Sequence, residues 1–167
     1  MTDYPSRSIS RLRDRLDSSD AISDADATIL REFSDELRIL VASQYSDYAH
    51  EKYLMRLGAI AEGVGGLAAA LEDEDAARQV VAWINAEKNN SPETNKDYRV
   101  SLRQLGFVLG EGSTDELPES LAWVPGGYPS NYDPAPDPAE LVDWEDDVLP
   151  MIEACYNDRD KAVIALA

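Results

Sequence analysis

The apolar positions of this chain recur at helical spacing. Between residues 24 and 44 the stripe is Leu30, Phe33, Leu37, Leu40 and Val41, behind Ser23 or Asp24 as N-cap. Between 47 and 63 it is Tyr53, Leu57 and Ile60, begun by Ser46 and ended by Gly63, Gly65 and Gly66. A short apolar turn at 67–71 leads into a third helix, 73–88, whose core face is Ala77, Val80, Val81 and Ile84. Glu72, Asp73, Glu74 and Asp75 suit the positive end of its dipole and Lys88 the negative end. Asn89 and Asn90 then turn the chain into the fourth helix, 92–109. Ser91 is a good N-cap, and Pro92 fits the first helical position because its missing N–H would be unpaired there anyway. Tyr98, Leu102, Leu105 and Leu109 line one face of it up to Gly110 and Gly112. The pattern predicts an all-α fold.

The flanks read differently. Residues 5–17 mix Arg7, Arg11, Arg13 and Arg15 with Ile9, Leu12 and Leu16, which makes a basic amphipathic segment that either docks on the domain or forms an arm that touches nucleic acid. Residues 111–137 hold Gly112, Pro118, Pro125, Gly126, Gly127, Pro129, Pro134 and Pro136, a composition that favours extended, irregular chain. Such a stretch is too long for an ordinary loop inside a domain, although Trp123, Tyr128 and Tyr132 could pin it to a neighbour. The expected organisation is therefore an N-terminal arm or helix over 1–22, a helical domain over 23–112, a linker over 113–136 and the start of a second domain over 137–167. Asp137, Pro138 and Glu140 have the order of a helix start, and a helix over 138–156 is expected, with another beginning near Asp158 or Asp160. The apolar run at 162–167 ends without a capping residue and reads as the front of a longer protein.

Charge narrows the function classes. Acids outnumber bases 33 to 15 over 167 residues, for a net charge of −18. Taken alone this argues against nucleic acid, which needs positive charge on the protein. The acidity is uneven: residues 111–167 carry 14 acids against two bases, Arg159 and Lys161. Only four lysines stand beside 11 arginines. That is the look of a protein from a salt-loaded cytoplasm, where at about 1 M salt the Debye length is only about 3 Å. One cysteine, Cys155, excludes an internal disulfide and suits a reducing compartment. The single histidine, His50, excludes a multi-histidine metal site. No phosphate-binding glycine loop, zinc pattern or metalloprotease motif occurs, and the acidic cluster Asp143, Glu145, Asp146 and Asp147 reads as a solvated face. No catalytic residue, metal or cofactor is assigned, and no membrane-spanning run is found.

Two helices carry short basic rows. The 47–63 helix has His50, Lys52 and Arg56; the 92–109 helix has Lys96, Arg99 and Arg103 at i, i+3, i+7. Both begin with small polar groups, Ser46 on one and Ser91 and Thr94 on the other, whose helix ends offer free N–H groups to a phosphate. Arginine can read guanine edges and lysine can contact phosphate, so two such helices could face a major groove. The alternative is that these bases pair with nearby acids, which at exposed sites is common and weak.

The order of motifs resembles one family. Tyr45-Ser46-Asp47-Tyr48-Ala49-His50-Glu51-Lys52-Tyr53-Leu54-Met55-Arg56-Leu57 is similar to the "S-x-x-T-x-x-x-Y-x-x-x-L" helix of tyrosine recombinases (phage-integrase family, Xer type), with Ala49 where the motif has threonine. The helix at 73–85, the helix opened by Ser91-Pro92-Glu93-Thr94, the exit Leu117-Pro118-Glu119-Ser120-Leu121 and the stretch from Asp143 through Arg159-Asp160-Lys161-Ala162 resemble further motifs of that family in the same order. The resemblance covers about residues 24–167 and implies a four-helix, SAM-like orthogonal bundle, the core-binding domain. That domain clamps double-stranded DNA and is followed by a linker and the first helices of a catalytic domain. It also implies self-association on DNA, while the acidic bias suggests a halophilic archaeal member and the lack of a signal peptide or long apolar run a cytoplasmic one. The DNA-facing residues it implies are His50, Lys52, Arg56, Ser91, Thr94, Lys96, Arg99 and Arg103, and the catalytic residues of the family fall beyond Ala167. The rival expectation is an acidic helical protein-interaction module that does not bind DNA.

Overall fold

The computed structural model describes residues 4–40, 45–86, 91–110, 116–129 and 143–155. Every regular element among them is helical: α1 (Tyr4–Asp17), α2 (Asp24–Leu40), α3 (Asp47–Gly63), α4 (Leu67–Glu72), α5 (Glu74–Ala86), α6 (Pro92–Leu109), α7 (Glu119–Ala122) and α8 (Leu149–Ala154). The chain divides into two units, Met1–Ser130 and Asn131–Ala167.

Three helix starts of the first unit, those of α2, α3 and α6, follow from serine caps. Ser23 Oγ accepts from Asp26 N at 3.2 Å, Ser46 Oγ from Ala49 N at 3.2 Å and Ser91 Oγ from Thr94 N at 3.3 Å. Each satisfies one N–H that the helix leaves unpaired at its start. Of the two residues that could begin α2, Ser23 is therefore the cap. The spans of α3 and α6 agree with their expected limits; the expected ends of α2 at 41–44 and α5 at 87–88 lie outside the described residues.

The apolar turn expected at 67–71 is instead the helix α4. Gly65 and Gly66 take positive φ angles of 70° and 79°, a region that L side chains rarely adopt, and so reverse the chain tightly after α3. The new helix is capped from a distance. Asp26, only 1% exposed on α2, accepts Gly66 N at 2.8 Å through Oδ2 and Ala68 N at 2.9 Å through Oδ1. Just before this turn α3 passes close to α5, because a Cβ on Gly63 would fall within 2.1 Å of the Trp83 ring.

The core is assembled from the faces the pattern marked. Leu30, Phe33 and Leu37 of α2 meet Leu54, Leu57 and Ile60 of α3, Leu67 and Ala70 of α4, Ala77, Val80 and Ile84 of α5, and Leu102 and Leu105 of α6, all buried. Tyr53 and Tyr98, expected on the same faces, are partly buried against it. The N-terminal segment is a docked helix: Ile9 and Leu16 are buried, Leu16 lies against Gly58 of α3, and Arg13 and Arg15 pair with Asp35 and Glu62 at 2.6 and 2.8 Å.

The described half of the expected linker, residues 116–129, belongs to the first unit. We call it the strap. It buries Leu121 of α7 at 0% exposure and Val124 just beyond at 1%, and Ser120 Oγ donates to the Leu71 carbonyl at 2.8 Å. Gly106 of α6 leaves room for Leu121 and Pro118, and the Arg78 guanidinium lies 4.6 Å from the Trp123 ring centre. Residues 113–115 and 130–136 of the expected linker are outside the described residues.

In the second unit, Asp143 Oδ1 accepts from Glu145 N and Asp146 N at 2.8 and 2.9 Å, and Asp147 Oδ2 accepts in return from Asp143 N at 2.9 Å. This reciprocal cap starts a π-helical turn, Trp144–Val148, that continues into α8. Trp144, Leu149 and Met151 are exposed. The Cys155 thiol donates to the Met151 carbonyl at 3.2 Å at the end of α8. The helix starts expected at 137 and near 158 lie outside the described residues.

Candidate nucleic-acid interface

The two helices with basic rows lie side by side and antiparallel. Tyr45, just ahead of α3, donates its hydroxyl to Gln104 Oε1 at 2.8 Å, whereas Arg56, three turns further on, pairs with Asp97 at 2.5 Å. Advancing along α3 therefore means retreating along α6. Lys52 is one turn before Arg56 and Lys96 is next to Asp97, so both lysines lie within about one helical turn of this ion pair. Tyr45 and Tyr53 meet edge to face with ring centres 6.3 Å apart, and burial pushes both phenols above their ordinary pKa. That suits packing residues.

The row on α6 is used differently from what its spacing suggests. Arg99 is 6% exposed and points inward. Its Nη1 donates to Asn85 Oδ1 at 3.1 Å, its Nε to the Pro125 carbonyl at 3.2 Å and its Nη2 to the Gly127 carbonyl at 3.1 Å. Burial lowers its pKa, yet an arginine keeps its proton in proteins. The expectation that Arg99 contacts DNA directly is corrected by this geometry: its donors are committed to the strap. Arg103 Nη1 donates to the Val124 carbonyl at 2.6 Å with its guanidinium 5.7 Å from the Phe107 ring centre, and Lys96 Nζ lies 4.0 Å from the ring centre of Tyr128. The strap thus runs antiparallel to α6, from Val124 at Arg103 to Tyr128 at Lys96.

These partners are all neutral. Arg13, Arg15, Arg31, Arg56 and Arg78 each pair with a carboxylate, whereas Lys96, Arg99 and Arg103, like Arg11, Arg38 and Lys52, make no ion pair among the described residues. Asparagine, carbonyls and aromatic rings hold the three cations of α6 in place without cancelling their charge. At the start of α6, Ser91 Oγ lies 3.2 Å from Thr94 Oγ1. A hydrogen bond from Ser91 also holds the Glu93 carboxyl below its ordinary pKa. On α3, Lys52 Nζ sits 5.4 Å from the Tyr48 ring centre and Tyr48 and Met55 are exposed.

His50 is the second correction. It is fully buried, with Nε2 2.9 Å from Ser34 Oγ of α2, and so is withdrawn from any surface. Desolvation pulls its pKa down from 6.5 to about 4, opposed in part by Asp47. The folded state therefore binds the proton less readily than the unfolded chain. His50 favours folding in full above pH 6.5, and this contribution is lost as pH falls through the window from 6.5 to about 4. Carboxylates also titrate there, so the test is a difference. His50→Gln is expected to reduce the fall in urea unfolding free energy between pH 6.5 and pH 4, by at most about 3 kcal/mol. Equal pH slopes for the two proteins would remove His50 from the account.

Arg99 and the strap make a second prediction. Arg99→Met leaves two strap carbonyls and Asn85 without their donor, a loss of about 1–3 kcal/mol. Chymotrypsin is expected to cut after Trp123 several-fold faster than in the parent chain, with α-helical circular dichroism retained. An unchanged cleavage rate would show that the strap is held without Arg99.

Compared with protein-family models, curated proteins and solved structures, the chain matches none. Among the described residues, no cluster of three or more histidine, cysteine, aspartate or glutamate residues could hold a metal ion, and no helix is long and apolar enough to cross a membrane. The strap residues were invisible as site members in the sequence. The one signal was Trp123 and Tyr128 in a segment otherwise rich in proline and glycine.

Proposed function

We propose that this chain is the DNA-binding front of a site-specific tyrosine recombinase of the phage-integrase type, clamping duplex DNA for strand cleavage and rejoining by a catalytic domain. No residue of the chain is assigned to the chemistry. The protein works in the cytoplasm, self-associates on DNA in its full-length form and uses neither metal nor nucleotide. The finer description of the first unit as a SAM-like orthogonal bundle belongs to this proposal.

One observation carries the reading. In a chain with 33 acids and 15 bases, Lys96 and Arg103 of α6 stand on either side of the buried Arg99 and make no ion pair among the described residues. A row of uncancelled cations is what a polyanion needs, and counterion release makes such a contact sensitive to salt. Lys52 and Arg56 of α3 lie beside this row, and Ser91 and Thr94 stand at its head. Fluorescence anisotropy of a labelled duplex, titrated with the chain from low to molar KCl, tests it. The expected result is binding whose logarithm falls linearly with the logarithm of salt. No binding at the lowest salt would overturn the proposal.

One feature favours a second reading. The second unit exposes Trp144, Leu149 and Met151 beside Glu145, Asp146 and Asp147. An acidic interaction module with that surface would bind a basic protein through those acids and show no affinity for the duplex at any salt.

A further inference from the structure

The Arg99 contacts set the direction of the strap's other peptide groups. The chain has no cis peptide bonds among the described residues, and a trans peptide aims its N–H opposite to its carbonyl. Because the Pro125 carbonyl accepts from Arg99, the Gly126 N–H of the same peptide is turned away from Arg99, toward the outer side of the strap. It has no backbone acceptor among the described residues. On either side of it stand the cations of the row: Arg103, whose Nε would lie 3.3 Å from a Cβ on Gly126, and Lys96 over the exposed Tyr128 ring. A glycine at this position keeps the peptide open to a close ligand.

We propose that the strap is itself part of the DNA-contact surface, with Lys96, Arg103 and the Gly126 N–H forming a seat for consecutive phosphodiesters of one strand. Arg99 is a positioning residue: it turns two strap carbonyls inward, which removes their negative ends from the seat and turns an N–H outward. The seat has the right length. Lys96 and Arg103 are seven residues apart, about 10 Å along α6 at about 1.5 Å per residue. Taken along the duplex axis, at about 3.4 Å per phosphate on each strand, that is about three steps. The inference rests on the DNA-binding reading above and adds to it a backbone donor outside both helices.

The experiment compares two substitutions at one position in the full chain, by anisotropy with a fluorescein-labelled duplex. Gly126→Ala adds a Cβ beside Arg103 and keeps the N–H; Gly126→Pro adds the same Cβ, closes a ring onto the nitrogen and so removes the N–H. Gly126→Pro is expected to bind about ten-fold more weakly than Gly126→Ala, as for loss of one hydrogen bond to a charged group. Its salt slope should be unchanged because no charge is lost. Equal affinities, with the parent chain still binding, overturn the seat and leave the DNA reading standing; a parent chain that does not bind overturns both. Tyr128→Leu tests the seat without altering the strap backbone. It removes the ring beneath Lys96 and is expected to weaken binding about three-fold, as for loss of a cation–π contact. Unchanged or tighter binding overturns the seat. Arg99 acts through the strap, so Arg99→Met combined with Gly126→Pro should cost no more affinity than Arg99→Met alone. Additive losses would overturn its role as a positioning residue.

Discussion

Replacing Asp26 by alanine is expected to lower the unfolding free energy by about 2–4 kcal/mol, the largest loss at any polar position argued from this fold. The carboxylate is 1% exposed and accepts two backbone N–H groups, those of Gly66 and Ala68. It is the cap that α4 lacks locally, because the preceding residue is a glycine in the left-handed region with no side chain to offer. Alanine leaves both donors without an acceptor at the point where the chain reverses. The hollow lined by Ala21, Ser23, Glu62 and Gly65 lets water reach part of the site, which favours the lower end of the range. Asp26→Asn keeps one acceptor oxygen and should cost about half as much. Urea unfolding gives the energy, and amide hydrogen exchange gives the location: Gly66 and Ala68 should lose protection before the amides of α3. A loss under about 0.5 kcal/mol, the range of ordinary surface substitutions, would show that Asp26 is incidental to α4.

The same residue shows where reading the sequence stops. Helices α3 and α6 were legible to their ends because their caps are local. Ser46 and Ser91 sit one residue before the helix and bond within three residues. Helix α4 was read as a turn because its cap comes from 40 positions away. Nothing within 67–71 announces a start. The strap was read as a linker for a related reason. Its prolines and glycines are real signals of irregular chain, but irregular chain can be packed. Leu121 and Val124 are buried there by partners that local composition does not contain. Periodicity located the basic row of α6 and could not tell which of its members faces out. Arg99 and Arg103 are four residues apart on one helix, yet one is buried and the other half-buried, because the strap crosses the row. His50 sits in a row with Lys52 and Arg56 by sequence, but a two-residue offset on a helix is a rotation of about 200° at 3.6 residues per turn, which carries it to the core side. The candidate site was thus legible as a pair of helices and only partly as a set of side chains.

The double substitution Lys96→Ala with Arg103→Ala is expected to produce the largest functional change while sparing the fold. Both residues are partly exposed, and the two Arg99 bonds to strap carbonyls stay in place while only the Arg103 bond to the Val124 carbonyl is lost. Two phosphate contacts contribute about 0.9 each to the slope of log affinity against log salt, so the slope should flatten by nearly 2. The size of the loss follows from the same relation. Each contact is worth about eight-fold in affinity at 0.1 M relative to 1 M salt, so at about 0.1 M the double variant should bind on the order of 50-fold more weakly, and at about 1 M nearly as well as the parent. This convergence at high salt distinguishes a lost electrostatic contact from a damaged interface, which would lose affinity at every salt. Arg31→Ala is the control: it removes one positive charge from a base already paired with Asp17 at 3.0 Å, away from α6, and should leave the slope unchanged. If the double variant keeps the parent's slope, the row on α6 does not touch DNA, and its three cations serve only to hold the strap. If Arg31→Ala flattens the slope as much as one of the α6 substitutions, the effect is one of overall charge. For a chain at −18 that would mean the DNA responds to the whole molecule and not to this face.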